Sequence, residues 1–313
     1  MNCYSKKFII SKKGIFDTFI DMTYVITLED SKERHKSVIS QLKKYELTKK
    51  VSIVFNKGFK KCKKELCFDN ICKKVNISVK DIIHAYQYIL KDAQKNNYNN
   101  ILILEDDFII SERILEQKII NDLEEKVNSY KNKNLLLKLG CIPYLSYEEA
   151  TNSNFKRILI SVGTHAIIYN KNSINKILQE LSLTDYDLVI NMKFITEQIM
   201  YKIPLIYQIF PDTENKKNWG KDDNFLINFS NSIAVNYDNQ IINLFNLDKI
   251  EEPGTSKMYK YHNIIFFSIL LILLVSIYLL FLSLNYAIKK IMNPKNLKLN
   301  KLNKIKKIIK SKK

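Results

Sequence analysis

Apolar residues gather along this chain in short runs, which alternate with longer stretches where they recur every three or four positions. TYVITL at 23–28 and VSIVF at 51–55 are the first two runs. Both are β-branched and aromatic without a breaker, and each predicts a strand. Between them Val38, Ile39, Leu42 and Tyr45 fall on one face of a helix that starts near Ser31. A second helix is predicted from Ser78 to about Lys95, with Ile82, Ile83, Ala85, Tyr86, Ile89 and Leu90 apolar. After the turn NNYNN comes ILILEDDFII at 101–110, then a charged amphipathic helix over about 112–129. Strands follow at 135–139, 157–162 and 165–169, the last two parted by Gly163 and Thr164. Helices at 172–181 and about 187–200 and a strand at 203–210 complete the series. Strand alternating with helix predicts an α/β sheet. Residues 1–22 and 57–76 are weakly patterned and read as a lead-in and an irregular excursion.

The run at 101–110 is where candidate chemistry enters. Four aliphatic residues lead directly into Glu105, Asp106 and Asp107. A short continuous apolar run predicts a strand buried on both faces, as in a parallel sheet. The acids then stand at its carboxyl end, where open α/β sheets bind ligands. Three adjacent carboxylates repel one another, and a divalent cation removes that cost; oxygen ligands suit Mg²⁺ or Mn²⁺. A solvated acidic turn is the bland alternative. If the chain stays extended, Glu105 and Asp107 share a face as metal ligands and Asp106 turns away.

Charge changes this picture little. The net charge of +18 is concentrated in residues 289–313, which hold eleven lysines and no acid and leave +7 for the rest. That distribution does not describe a nucleic-acid-binding body. Five cysteines occur, at 3, 62, 67, 72 and 141. The N-terminus MNCYSKKFIISKKG lacks an apolar core of signal-peptide length, so reduced thiols in a cytosol-like compartment are expected. The spacing of Cys62, Cys67 and Cys72 is not that of a usual zinc site.

Residues 264–284 are uncharged and rich in Leu and Ile. Twenty-one helical residues cover roughly 30 Å, the thickness of a bilayer's hydrocarbon core. The expected organisation is a lead-in at 1–22, an α/β domain at 23–250, a linker at 251–263, a transmembrane helix at 264–284 and a basic tail at 285–313. The chain is expected to be a single-pass, C-terminally anchored membrane protein. The positive-inside rule puts the lysine tail in the cytosol and the body across the membrane. A late anchor inserted after translation would do the reverse, and the side of the body stays open. Leu302, Ile305 and Ile309 recur at helical spacing among the lysines, so the tail also suits an anionic membrane surface.

Four stretches carry a family resemblance: TYVITLEDSKERHKSVISQL at 23–42, ILILEDDFII at 101–110, SVGTHAIIYNKNSINKIL at 161–178, and the segment from Asp187 to IPLIYQIFP at 203–211. In order and spacing they resemble glycosyltransferase family 25, the lipooligosaccharide (LPS) and collagen galactosyltransferases, and virus-type members most. The resemblance spans about residues 20–220. It departs from the family pattern in lacking glycines around His84 and a proline–aspartate pair before Arg34.

The resemblance implies a GT-A-like, nucleotide-sugar-binding α/β sheet with flanking helices. It also implies an inverting, metal-dependent hexosyltransferase that moves galactose or glucose from a UDP-sugar to a hydroxyl on a glycan or protein. Mn²⁺ or Mg²⁺ would lie on Glu105 and Asp107. Arg34, Asp106, Gly163, Thr164 and His165 would face the donor, His165 as a hydrogen-bond donor to the diphosphate or as a metal ligand. Asp187 and Asp185 are the candidate bases, since the acceptor hydroxyl must lose a proton. Gln208 and Pro211 shape the acceptor side or close the sheet, and Trp219 is free to stack on a sugar or fill a core. The partners expected are the donor, the acceptor and the membrane, with no nucleic acid. The competing reading is a catalytically inactive, membrane-tethered binding module of the same fold.

Overall fold

The computed structural model describes residues 2–68, 71–150, 153–180, 196–208 and 253–292, with isolated positions at 236, 240, 243 and 244. Two units divide at His262.

The first unit is built on a mixed sheet. Its strands are β1 (Tyr4–Ile10), β2 (Met22–Leu28), β3 (Lys50–Asn56), β6 (Asn100–Glu105), β8 (Leu135–Glu148), β9 (Phe155–Asn170) and β10 (Glu197–Tyr201). They lie in the order β1-β3-β2-β6-β9-β10-β8, with β8 also paired to β9. β2 runs parallel to β3 and to β6, and β10 runs parallel to β8. β1 and β9 run antiparallel to their partners, so the parallel sheet expected from the buried runs is only its central part.

Side-chain alternation along the central strands explains the layering. Leu102 and Leu104 face one way, onto Val38 and Leu42 of α1 (Lys32–Tyr45) and Ile119 and Leu123 of α3 (Gln117–Ser129). Ile101 and Ile103 face the other way, onto Ile83, Tyr86 and Ile89 of α2 (Ser78–Lys95) and Ile174 and Ile177 of α4 (Lys171–Glu180). Each fully buried aliphatic side chain contributes about 1.5–3 kcal/mol. A strand apolar on both faces is therefore stable only between two helical layers.

Several elements differ from the sequence-based expectation. The lead-in contains β1, which closes the β3 edge through the register Tyr4↔Asn56 to Ile10↔Lys50. Its lysines disguise it, because only one face is covered. The excursion at 57–76 contains a hairpin, β4 (Glu65–Phe68) with β5 (Ile71–Lys74). The buried Lys64 bonds Asp81 and Asn56, tying this hairpin to α2. Residues 157–169 are one strand, not two. Residues 197–200, expected as helix, are strand β10, where Ile199 meets the core between β8 and β9.

The thiol expectation is overturned. Cys3 is bonded to Cys62, and Cys67 to Cys72 across the β4–β5 hairpin, leaving Cys141 as the free cysteine. The spacing of five residues reflects a hairpin staple, whose two sulfurs stand directly opposite in register.

The linker expected at 251–263 is helical from Pro253 onward, in α5 (Pro253–Met292). Tyr259 and His262 of this helix are buried in the first unit. In the second unit the helix carries exposed apolar side chains such as Leu271, Ile272 and Leu280. The stretch Tyr259–Tyr286, whose most apolar 18-residue window has a mean hydropathy of 3.1, is long and apolar enough to cross a membrane.

Candidate functional site

Strand β6 ends at Glu105, and the chain turns through Asp106 and Asp107 before β7 (Phe108–Ile110). The turn sends the three carboxylates to different partners. Glu105 Oε1 accepts the Tyr86 hydroxyl of α2 and the Thr164 hydroxyl of β9, each at 2.7 Å. Asp106 accepts Thr27 Oγ1 at the end of β2 at 2.6 Å and the Arg34 guanidinium of α1 at 2.5 Å. Asp107 Oδ2 accepts Gln208 Nε2 at 3.1 Å, and Oδ1 is buried with no hydrogen-bond partner. Glu105 and Asp107 were expected to share a face on an extended chain, but the turn at Asp106 breaks that alternation. Among the described residues the three acids do not each bring one oxygen within 4.8 Å of the others.

Electrostatics single out Asp107. Burial, then the neighbouring Glu105 and Asp106, push its carboxyl up to about 8. Burial raises Glu105 as well, against the pull of the Thr164 and Tyr86 hydroxyls. Asp106 is the acid whose charge is met within the protein, by Arg34 at its side.

Beside the turn stands His165. The register Leu104↔Ala166 brings its position alongside the end of β6. Gly163, at φ 87°, puts a left-handed residue inside β9 where the sequence suggested a tight turn. Only glycine takes that conformation freely. The His165 Nε2 faces the Ile206 carbonyl at 3.3 Å, while Nδ1 is buried without a partner. Burial, with the nearby Lys138 charge, pushes the imidazole down to about 4, against the pull of the Ile206 carbonyl and the Gln208 side chain. The ring is therefore neutral at pH 7. The carbonyl contact assigns the proton to Nε2 and leaves Nδ1 a lone pair. Nδ1 can thus ligate a metal or accept a proton.

Gly140 on β8 lets this ring fit. A Cβ there would overlap both the Ile206 carbonyl oxygen and His165 Nε2. Ile206 and Gln208 belong to β11 (Ile206–Gln208), which pairs with β7 in the register Gln208↔Phe108. The β7–β11 ribbon thereby delivers Gln208 to Asp107. The sequence signal for this role was only the apolar run at 203–210, which places a strand but names no partner.

The structure therefore brings Glu105, Asp106, Asp107, Thr164, His165 and Arg34 into one region, with Gly163 and Gly140 shaping it. Arg34 reaches it as the partner of Asp106. Asp185, Asp187, Pro211 and Trp219 lie outside the described residues. The residues present fit a hard divalent cation. Asp107 offers a buried, unpartnered oxygen, and Mg²⁺-type sites commonly combine one or two carboxylates with substrate phosphates. The grouping of Glu65, Cys67 and Cys72 holds ligand-type atoms within 4.8 Å, but its two sulfurs are bonded to each other.

No protein-family model matches the chain, and no curated protein matches it by sequence. Among solved structures, A197 from STIV is similar at 13% identity and a TM-score of 0.37, over 62% of this chain and 86% of its own. A glycosyltransferase involved in glycosylating the major capsid of PBCV-1 is similar at 11% identity and a TM-score of 0.27. That overlap covers 49% of this chain and 62% of the other, so the chain spans less than two thirds of it. Both likenesses are faint, and the site stands on its own geometry.

Proposed function

We propose that residues 1–262 form a metal-assisted glycosyltransferase with the GT-A arrangement, of the family 25 kind. It moves galactose or glucose from a UDP-sugar to a hydroxyl of a glycan or protein, with inversion. The observation that carries this reading is the buried Asp107 Oδ1 that lacks a hydrogen-bond partner just past the carboxyl end of β6, with His165 Nδ1 a second such atom on β9. Burying two such atoms costs roughly 1–3 kcal/mol each unless a ligand meets them.

In this reading Asp107 Oδ1 is the first ligand to Mn²⁺ or Mg²⁺, with Glu105 or His165 Nδ1 completing the protein's share. The cation, when bound, supplies a Lewis acid that offsets charge on the leaving diphosphate. Gln208 holds the other oxygen of Asp107 and fixes the carboxylate's rotation. The Asp106–Arg34 pair keeps a guanidinium at the end of β2 for the donor's phosphates. During transfer the bond from the anomeric carbon to the diphosphate oxygen breaks, and its electrons leave with UDP. A bond from the acceptor oxygen forms on the opposite face, and the acceptor's proton passes to a carboxylate, here Asp187 or Asp185.

Calorimetry with UDP on the detergent-solubilised full chain, with and without Mn²⁺, tests this. UDP binding is expected to need the cation and to be followed by UDP release from UDP-galactose or UDP-glucose. Binding without turnover would favour the inactive module, and no binding under any divalent cation would refute the reading. The pH dependence follows from Asp107. Below about 8 its carboxyl carries a proton that the cation must displace. Cation affinity should therefore rise by about tenfold per pH unit from pH 6.5 and level off near 8. Without the cation, the folded state holds that proton more tightly than the unfolded chain, whose carboxyl is ordinary at 3.8. Apo stability should accordingly fall as pH rises from about 4 to about 8.

We also propose that the body faces an oxidising compartment, anchored by α5. Two disulfides favour that side, and the positive-inside rule independently leaves the lysine-rich tail in the cytosol. Denaturation without reductant, followed by maleimide tagging, should find one thiol among five cysteines. That thiol is Cys141, which burial pushes up to about 11 and keeps unreactive until the fold opens. Five free thiols would put the body in the cytosol.

A further inference from the structure

The two buried residues of α5 both grip strand β8. Tyr259 donates its hydroxyl to the Cys141 carbonyl and packs with Cys141, Ile158 and Met200. His262, 1% exposed, takes the Ser146 hydroxyl on Nε2 at 2.6 Å. Its Nδ1–H donates to the Tyr259 carbonyl at 2.8 Å, which fixes the tautomer that accepts from Ser146. Tyr261, between them on the helix, is exposed.

The gripped stretch of β8 is irregular. Its pairing with β9 shifts register between Lys138 and Gly140, between Gly140 and Ile142, and twice more before Ser146. Each shift interrupts the ladder and bends the strand, so this stretch is held less firmly by its neighbours than a regular one. Gly140 sits inside it, one residue before the carbonyl that Tyr259 holds. Gly140 is also the backbone wall against which the His165 ring rests. A helix that served only as a tether would not need two buried polar groups aimed at one strand. Buried polar contacts of this kind specify one geometry, because any other leaves them unsatisfied.

We propose that Tyr259 and His262 are positioning residues of the candidate site. By holding Cys141 and Ser146 they keep Gly140 against the His165 imidazole, so the helix that carries the apolar span also sets the geometry of the site. This deepens the reading of His165 as a site residue, but its test uses no sugar transfer. If the wild-type chain fails to bind UDP, the proposed function falls and this comparison is still decided on its own measurement.

The test is diethyl pyrocarbonate labelling of the full chain in detergent, with each histidine followed by mass spectrometry. In the wild type the His165 ring, 3% exposed, should label slowly. Tyr259→Phe, which removes only a hydroxyl, and His262→Gln should each speed labelling of His165 by about tenfold, as local opening replaces a fixed contact. His84 on α2, hydrogen-bonded to Tyr4 of β1 and touching neither Cys141 nor Ser146, serves as the internal reference and should keep its wild-type rate. An unchanged His165 rate would overturn the role of the residue replaced. Acceleration of His165 and His84 together would overturn it too, since that is general loosening and not positioning.

Discussion

Asp107→Asn is expected to abolish Mn²⁺-dependent UDP binding and to lower sugar transfer by at least about a hundredfold. The asparagine oxygen can still accept from Gln208 Nε2, so the β7–β11 ribbon keeps its tie. Its amide nitrogen then replaces the unpartnered Oδ1, presenting a donor where a cation needs an acceptor. The fold should not suffer. Burial and the charges of Glu105 and Asp106 disfavour an ionised Asp107, so a neutral replacement relieves repulsion. Thermal unfolding at pH 8 without cation should occur at the wild-type temperature or above it. Transfer within tenfold of wild type would show that Asp107 is not the metal ligand.

Gly140→Ala should be nearly as severe by a different route. The new methyl would overlap the Ile206 carbonyl oxygen and the Nε2 of His165. The carbonyl is backbone of β11 and cannot rotate away, so β11 or the imidazole must shift. Overpacking of this kind costs about 1–3 kcal/mol, which lowers the melting temperature of a domain this size by roughly 2–10 °C. Because β11 also carries Gln208, Asp107 loses its fixed rotation, and Mn²⁺-dependent UDP binding should weaken with the fold still formed. Gly58→Ala is the matching control. It is strained at φ 74°, but the nearest side chain is Leu28 at 3.8 Å, so it should lower stability modestly without touching UDP binding. Equal UDP affinity in both variants would separate Gly140 from the site.

The parts of this fold legible in the sequence are those where one strong local pattern decides the outcome. ILIL at 101–104 has no polar face, so it had to be central, and the helix at 78–95 buries the apolar positions that its periodicity marked, apart from the half-buried Ile82. The acids at its end were equally plain as candidates, because three carboxylates beside a buried strand need an explanation. Their partners were not plain. Tyr86, Thr164, Thr27 and Gln208 come from four separate elements, and which oxygen each holds depends on a turn at Asp106 that replaced the expected extended backbone. β1 escaped because a strand covered on one face and rich in lysine resembles a solvated lead-in. β10 escaped because apolar residues at 195 and 199–200 satisfy helical spacing as well as strand alternation. The disulfides escaped because pairing depends on Cα positions brought together by the sheet, as Cys3 on the way into β1 meets Cys62 beyond β3.

The docking of Tyr259 and His262 bears on how a water-soluble form of this protein has to be made. The Glu-Glu-Pro-Gly stretch at 251–254 invites a cut between body and anchor. Cutting there would strip an aromatic plug from Cys141, Ile158 and Met200 and remove the His262 ring from the Ser146 hydroxyl. A stop codon placed after His262 would instead discard the greasy segment while retaining the plug.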